Sequence, residues 1–181
     1  MPATIHTYPA QDLPEPLFLA ASALQFSVWP GDENTENSYE KFLARHRERP
    51  DRWVILALEG ANVLAHAEVF SREILCGSEP LRVGCLAGVC VSPERRGEHL
   101  GKAVVEAALA ASRGDGLPLV LFQTGVPDFY RQLGAARVRN RFINSLAEDP
   151  RANPWWDEHV MIHPGDYPWP QGVVDLQGGA F

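Results

Sequence analysis

No segment of the sequence approaches the roughly 18 consecutive apolar residues that a membrane-spanning helix requires. The first thirty residues also lack a basic stretch followed by an uninterrupted apolar one, which is the pattern of a secretory signal. These two absences predict a protein that has no membrane partner and that resides in the cytoplasm.

Cysteine is scarce, and the cysteines present show no pairing pattern. The three of them, Cys76, Cys85 and Cys90, form neither a C-x-x-C motif nor a Cys/His set with the spacing of metal ligands. We therefore expect no disulfide framework and no metal site, which agrees with a reducing compartment.

Basic residues are outnumbered by acidic ones. The chain has 16 Lys and Arg against 23 Asp and Glu, which gives a formal net charge of −7. A dedicated nucleic-acid binder needs a basic face, so no nucleic-acid partner is expected, whereas a cationic small molecule would be attracted. The 181 residues, 45% of them hydrophobic, are enough for the core of one domain.

Hydrophobic periodicity in the first half predicts two helices and four strands. A short strand is expected at residues 4–8, and helical spacing of apolar residues follows at 17–28 and 35–49. Gly60 and Gly77 lie in turns between apolar, β-branched runs. Two glycines inside the third run, Gly84 and Gly88, predict bulges or close backbone contacts. The three runs occupy residues 53–59, 63–76 and 81–92.

Beyond Pro93 the apolar period changes from that of a strand to that of a helix. A helix from residue 100 is followed by a strand, a short helix and two more strands, and this alternation of strands and helices suggests a parallel crossover. After the helix that begins at residue 100, we expect a strand at 117–123, a short helix at 127–133, and strands at 136–145 and 159–163. The sequence thus predicts an α/β (α+β) fold with a mixed, mostly antiparallel central sheet and flanking helices.

The junction between the third run and the helix at residue 100 carries the chemical signal, VCVSPERRGEHLGK over residues 89–102. The first amides of a helix have no intrahelical partners, and the dipole is positive there, so these amides bind anions such as pyrophosphate. Gly97 and Gly101 allow a phosphate to approach the backbone, and Arg96 adds positive charge. A nucleotide-triphosphate loop is excluded, because Ala103 stands where that motif needs Ser or Thr.

Two segments in this order and spacing resemble the GCN5-related N-acetyltransferase (GNAT) family. They are V-x-V-x-P-x-x-R-G-x-x-L-G at residues 89–101 and F-Y-R-Q-L-G-A at residues 129–135. With the preceding strands, the resemblance covers residues 53–142. A looser similarity, to the aminoglycoside 2′-N-acetyltransferase branch, rests on residues 81–89 and on the aromatic Phe181. The resemblance implies a splayed pair of parallel strands that holds acetyl-CoA as co-substrate, with no metal.

The resemblance also implies which residues contact the cofactor. The strand residues would offer backbone groups to the pantetheine arm, and the turn and first helical turn would surround the pyrophosphate. One departure is His99, which stands where the family pattern R-x-x-G-x-G/A has its middle glycine. The implied cofactor-binding residues are Val89, Cys90, Val91, Arg96, Gly97, Glu98, His99, Leu100, Gly101 and Lys102.

For the chemical step, the resemblance implies Tyr130 as the general acid that protonates the leaving thiolate. The base that deprotonates the amine has three candidates. His66 and Glu68 alternate on one strand and therefore share a face, and an ordered water is the third candidate. Cys90 lies within an apolar strand and is interpreted as an inert core residue rather than a nucleophile.

Together these features predict a single GNAT-like domain over residues 1–181 that moves an acetyl group from acetyl-CoA to a primary amine of a small molecule by direct attack. The cofactor core would occupy about residues 53–142. A C-terminal extension at about residues 146–181, rich in tryptophan and carboxylates, would form the substrate side. The alternative is a non-catalytic acyl-CoA-binding or regulatory module with the same fold. Family members are often dimers, so a homodimer is a further expectation.

Overall fold

The computed structural model of the chain describes residues 2–30, 39–47 and 51–181. Contacts divide the chain into two compact units, which we describe separately. Unit 1 contains Met1–Val69 and Gly88–Ala111, and unit 2 contains Phe70–Ala87 and Ser112–Phe181. Within the described ranges, no helix is both long and apolar enough to cross a membrane.

Unit 1 contains two whole helices, most of a third, and the strands that they accompany. Strand β1 pairs antiparallel with β2 from Thr4 opposite Leu58 to Pro9 opposite Trp53, and β2 neighbours β3. Its elements are β1 (Thr4–Pro9), α1 (Glu15–Val28), α2 (Tyr39–Arg47) and β2 (Arg52–Glu59). The start of β3 (Asn62–Cys76), the end of β4 (Glu79–Val91) and most of α3 (Leu100–Gly114) also belong to it. A small core of Ala21, Val54, Leu56 and Leu58 joins α1 to β2.

The predicted elements of unit 1 are confirmed within a few residues at their ends. The helix expected at 35–49 is observed as α2, while residues 35–38 and 48–49 of that prediction lie outside the described residues. The close contact expected at Gly88 is also confirmed, because a Cβ at this residue, which has a φ of +60°, would lie 2.9 Å from Oε1 of Gln25.

Unit 2 continues β3 and β4 and adds five strands. Strand β8 pairs antiparallel with β5 on one side and with β6 on the other. Strand β9 pairs antiparallel with β3 and parallel with β7. The added elements are β5 (Val120–Thr124), α4 (Pro127–Gln132), β6 (Ala136–Val138), β7 (Arg141–Ile143), β8 (His159–His163) and β9 (Val173–Asp175).

The predicted parallel pair is the contact between β4 and β5. Its register joins only Gly84 to Val120 and Cys85 to Leu121, although both strands continue beyond these residues. A side chain at Gly84 would meet Oγ of Ser112 at 2.4 Å, so the close contact expected from this glycine is confirmed. The fold is thus the predicted one, a mixed and mostly antiparallel sheet with a parallel pair that separates, flanked by helices.

Two expectations about the second half were wrong. The strand expected at residues 136–145 is two short strands, because the side chain of Asn140 between them bonds to the carbonyls of Pro170 and Gly172, both at 2.9 Å. Strand β9 was not expected, because its three residues show no periodicity.

The C-terminal residue packs into a cluster of aromatic rings in unit 2. The ring centroid of Phe181 lies 5.1 Å from that of Trp155, and the ring centroid of Trp155 lies 5.5 Å from that of Phe142.

Candidate active site

The segment at residues 89–102 in unit 1 has the strand–turn–helix order that the sequence predicts. Strand β4 ends at Val91, and α3 begins at Leu100. Gly97 has a φ of +87°, and nothing lies within 4 Å of the position that a Cβ would occupy there. A ligand can therefore approach the backbone at this residue.

His99, which departs from the family pattern, adopts the backbone conformation of a glycine. Its φ is +61°, and its carbonyl accepts the helical hydrogen bond from the amide of Ala103 at 3.1 Å. Histidine enters this left-handed region more readily than most residues, at a cost of about 1 kcal/mol. The backbone of His99 thus keeps the path of the turn into α3, and its side chain is exposed.

The two arginines of the turn, Arg95 and Arg96, differ in how far ion pairs neutralise their charges. Arg95 pairs with Glu98 at 2.7 Å and with Glu59 at 3.1 Å, so its charge is balanced locally. The hydrogen bond from Arg95 lowers the pKa of Glu98 and keeps that carboxylate ionised. Arg96 is exposed and has no ion-pair partner among the described residues, which leaves its charge available to an anion. Lys102 lies 3.8 Å from Glu106 one helical turn further on.

These residues fit the pyrophosphate and pantetheine of an acyl-CoA. The fit rests on the open space at Gly97, the first amides of α3, which helix geometry leaves without intrahelical partners, and the guanidinium of Arg96. Val89 and Val91 are half-buried, and Cys90 is 5% exposed, so their backbone groups rather than their side chains are suited to contact the arm. Burial raises the pKa of the Cys90 thiol to about 12, which agrees with an inert core cysteine.

His66 lies inside unit 1, where only 2% of its surface is exposed. Its Nδ1 is 2.7 Å from the carbonyl oxygen of Gly88. A carbonyl oxygen only accepts hydrogen bonds, so Nδ1 carries the proton and Nε2 presents its lone pair to the amide nitrogen of Gln25 at 3.4 Å. Burial lowers the pKa of His66 below 6.5 although Glu68 raises it, and the ring is neutral at neutral pH.

Gly88 is the residue that allows the ring of His66 to approach β4. A Cβ at this position would lie 2.9 Å from Oε1 of Gln25 and 3.0 Å from Cε1 of His66. The positive φ of Gly88 directs its carbonyl toward Nδ1 of His66. The glycine and the histidine therefore form one arrangement, which the sequence suggested only as a close contact.

Glu68, the second base candidate, is held in a buried ion pair. One of its oxygens lies 3.0 Å from Nε of Arg52, and both side chains are 3% exposed. Arg52 also donates to the carbonyl of His46 at 2.6 Å. A buried carboxylate paired in this way is ill suited to accept a substrate proton, because the arginine would then lose its counter-charge.

Tyr130 lies in unit 2 on the short helix α4 and is 6% exposed. The centroid of its ring lies 4.5 Å from that of Phe122 and 4.9 Å from that of Phe129. Burial raises the pKa of Tyr130, and the negative charge of Asp157 raises it further. The phenol therefore keeps its proton throughout the physiological pH range.

The backbone at Asp157 is fixed by Gln123 on β5. Oε1 of Gln123 accepts from the amides of Trp156 at 3.0 Å and Asp157 at 2.9 Å, and its amide group donates to the carbonyl of Phe181 at 3.1 Å. This network joins β5, the loop before β8 and the C-terminal residue. Sequence reasoning missed it, because nothing near Gln123 in the sequence distinguishes it from other polar residues of a strand.

The predicted site residues fall into two groups. Unit 1 contains His66, Glu68 and the whole of the segment at 89–102, and it brings His66 next to β4. Unit 2 contains Tyr130 with Asp157. Sequence reasoning also missed Gln25, although a buried polar residue on the apolar face of α1 was a usable signal. Over the described parts of the chain, no group of His, Cys, Asp and Glu has a metal-binding arrangement.

Comparison with known proteins agrees with the geometry. A family model described as "Acetyltransferase (GNAT) domain" matches residues 5–138. No curated protein matches the chain in sequence.

Solved structures show the same fold at low sequence identity. A GCN5-related N-acetyltransferase from Kribbella flavida is 19% identical with a TM-score of 0.57, over 75% of this chain and 33% of that one. The glucosamine-6-phosphate N-acetyltransferase of Arabidopsis thaliana is 19% identical with a TM-score of 0.56, over 75% and 94%. An acetyltransferase from Staphylococcus aureus is 12% identical with a TM-score of 0.59, over 88% and 98%. The chain thus spans a third of the Kribbella protein and nearly all of the other two.

Proposed function

Because this chain belongs to the acetyltransferase (GNAT) family, we propose that it transfers the acetyl group of acetyl-CoA to a primary amine of a small molecule by direct attack, with Tyr130 as general acid. Acetyl-CoA, when bound, supplies an acetyl thioester that is activated toward nucleophiles. The observation that carries the proposal is the family match over a segment whose turn is open to an anion at Gly97.

The cofactor would be held by the segment at residues 89–102. The backbone of β4 at Val89 and Val91 would bind the pantetheine arm. The amides at the start of α3 and the guanidinium of Arg96, which has no ion-pair partner in the described part of the chain, would bind the pyrophosphate. Arg95 is not counted among these groups, because Glu59 and Glu98 already balance its charge.

His66 is the better supported of the two candidate bases. Its ring is neutral at neutral pH, and within the ranges that the structure describes its Nε2 lone pair has only a long contact with Gln25. Glu68 is paired with Arg52. His66, which is 2% exposed, would accept a proton from the substrate ammonium through a water, so that the neutral amine can attack the thioester. The hydrogen bond from Nδ1 to Gly88 would stabilise the imidazolium that forms.

Tyr130 would donate its proton toward the departing sulfur. An ordinary thiol has a pKa of about 8.5 and a phenol one of about 10, so complete transfer is uphill in water. Burial raises the pKa of Tyr130, which keeps the proton on the phenol but makes its complete transfer to sulfur still more uphill. A hydrogen bond to the negative charge that develops on sulfur, in a site protected from water, stabilises the transition state.

Two measurements test this function. Calorimetric titration with acetyl-CoA should show binding, and Arg96→Gln should weaken it about 10-fold, the value of one charge-assisted hydrogen bond. Arg82→Gln, a change at an exposed arginine of unit 2, is the matched control and should have no effect. An assay of free CoA thiol should then detect turnover with members of a panel of primary amines that includes aminoglycosides.

The outcomes separate the two candidate functions. Absence of binding at millimolar acetyl-CoA would contradict any role as an acyl-CoA protein. Binding without thiol release from any amine would instead favour the non-catalytic acyl-CoA-binding module, for which the unusual residue at His99 is the structural argument.

A further inference from the structure

Four exposed arginines surround one cavity of about 360 Å³ in unit 2. They are Arg137, Arg139, Arg141 and Arg151, a quarter of the 16 basic residues in a chain whose net charge is −7. We call this cavity, with its four arginines, the arginine cavity. Its volume lies within the range of small-molecule sites, about 300 to 1,000 Å³. A local excess of positive charge in an acidic protein indicates a ligand of opposite sign.

The segment that carries three of these arginines is held in place. Between β6 and β7, the side chain of Asn140 donates to the carbonyls of Pro170 and Gly172, each at 2.9 Å, and accepts from Nε1 of Trp169 at 2.6 Å. All the hydrogen-bonding groups of this amide except one lone pair are therefore used. Arg139 and Arg141, on either side of Asn140, are presented to the cavity by a fixed backbone.

The guanidinium groups of the arginine cavity are largely unpaired. Arg139, Arg141 and Arg151 form no side-chain ion pair or hydrogen bond with the part of the chain that the structure describes, and Arg137 reaches only the carbonyl of Glu158 at 3.4 Å. Like charges around one cavity repel each other. A carboxylate or phosphate among them would relieve this repulsion and accept paired hydrogen bonds.

The lining of the arginine cavity also includes residues of the opposite charge, one of which acts on the proposed general acid. The carboxylates of Asp157 and Glu158 line it together with the arginines. Asp157 is near enough to Tyr130 for its charge to act on the phenol, and Gln123 fixes the backbone at Asp157. The cavity therefore offers Asp157, whose charge acts on Tyr130, as a partner for an ammonium, and the arginines elsewhere on its wall as partners for an anion.

We propose that the acceptor is a small zwitterion, an amine that also carries a carboxylate or a phosphate, and that Arg139, Arg141 and Arg151 bind its anionic group while Asp157 attracts its ammonium. This inference rests on the proposed function, because it assigns the arginine cavity to the acceptor of that reaction. An extended polyanion is disfavoured by the net charge of −7.

The first arm of the test measures anion binding without acetyl-CoA. Calorimetric titration with inorganic phosphate should show binding that the double variant Arg139→Gln/Arg141→Gln weakens by about 10- to 100-fold, and that Arg151→Gln, on a separate segment, weakens less. Arg82→Gln is the control for charge. If Arg96→Gln rather than the double variant removes the binding, phosphate occupies the cofactor turn, and the proposal is overturned.

The second arm compares matched acceptors by release of CoA thiol. The pairs are phosphoethanolamine with ethanolamine, and β-alanine with β-alaninamide. The anionic member of at least one pair should have a kcat/KM about 10-fold or more above that of its neutral partner, mainly through KM, and the pair that shows this separates phosphate from carboxylate. In the double variant the ratio should approach 1. A ratio near 1 in the native protein, or one unchanged in the variant, overturns the proposal.

Failure of this inference is distinguishable from failure of the proposed function. Turnover of neutral amines without phosphate binding would leave the acetyltransferase and remove the anion site. Phosphate binding that depends on the arginine cavity, without thiol release from any amine, would overturn the transferase and with it the role of the cavity in binding an acceptor.

Discussion

At the scale of single residues, the structure separates side chains that the sequence presents as equivalent. His66 and Glu68 alternate on β3, and both are 2% exposed. Their difference comes from distant partners: Gln25 and Gly88 leave Nε2 of His66 weakly engaged, whereas Arg52 binds Glu68. Partners of this kind are joined only by tertiary contacts, so the spacing of the two residues could not rank them.

The change Tyr130→Phe should lower kcat for acetyl transfer by about 100-fold or more, the usual contribution of a general acid, while the affinity for acetyl-CoA stays within about twofold. The ring contacts with Phe122 and Phe129 do not involve the hydroxyl, so the fold should be kept. Steady-state kinetics and calorimetry measure the two quantities. Tyr8→Phe on β1 is the matched control, and an unchanged kcat in Tyr130→Phe would remove this residue from the mechanism.

At the scale of elements, β4 shows how a strand can be both recognisable and irregular. Its apolar run predicts a strand, and its glycines predict irregularities, both of which are observed. Two different reasons require the glycines: Gly84 admits Ser112, and Gly88 has a positive φ beside His66. The division of β6 from β7, in contrast, depends on bonds from Asn140 to the tail, which local periodicity does not reveal.

The change Gly88→Ala should lower the free energy of unfolding by about 3 kcal/mol, because a left-handed backbone with a Cβ costs about 1 to 2 kcal/mol and the contacts with Gln25 and His66 add to this. Gly60→Ala is the matched control. Its φ of +62° is nearly the same, but nothing lies within 4 Å of a Cβ there, so its loss should be only the backbone cost. Urea unfolding measures both, and equal losses would show that the contact with His66 has no energetic weight.

At the scale of the whole molecule, net charge and local charge lead to different conclusions. A balance of −7 indicates that cations are attracted, yet the arginine cavity is a positive site within the same chain. Over distances beyond about 10 Å salt screens the overall charge, whereas groups that touch the ligand are hardly screened. The local arginines therefore decide what the cavity binds.

Each unit contains a histidine with a lowered pKa, so the stability of both units depends on pH. The pKa of His66 in unit 1 and that of His163 in unit 2 are lowered, in both cases mainly by burial. As the pH falls, a histidine in the unfolded chain, with a pKa of 6.5, binds its proton at a higher pH than the same histidine in the folded protein. The stability from these neutral rings is thus complete well above pH 6.5 and is lost as the pH falls from about 6.5 through the lower folded values.

We therefore expect the free energy of unfolding in urea to be nearly constant above about pH 7.5 and to begin to decrease as the pH falls below about 6.5. His66→Gln and His163→Gln should each reduce this slope, and the exposed residue change His6→Gln should not. Glu98, whose pKa is lowered by its hydrogen bond from Arg95, titrates below about 4.5, well below the pH at which this decrease begins. If neither His66→Gln nor His163→Gln changes the pH dependence of the free energy of unfolding, these two histidines are not its source.

The sequence by itself determined the family resemblance, the mixed sheet, the strand–turn–helix segment and Tyr130 as the proposed acid. These features depend on periodicity, on turn residues and on short motifs, all of which are local along the chain. Only the tertiary structure decided that Glu68 is bound by Arg52, that His66 is neutral against Gly88, and that four arginines surround one cavity. Contacts between residues far apart in the sequence set burial and charge, and burial and charge set the chemistry of a side chain.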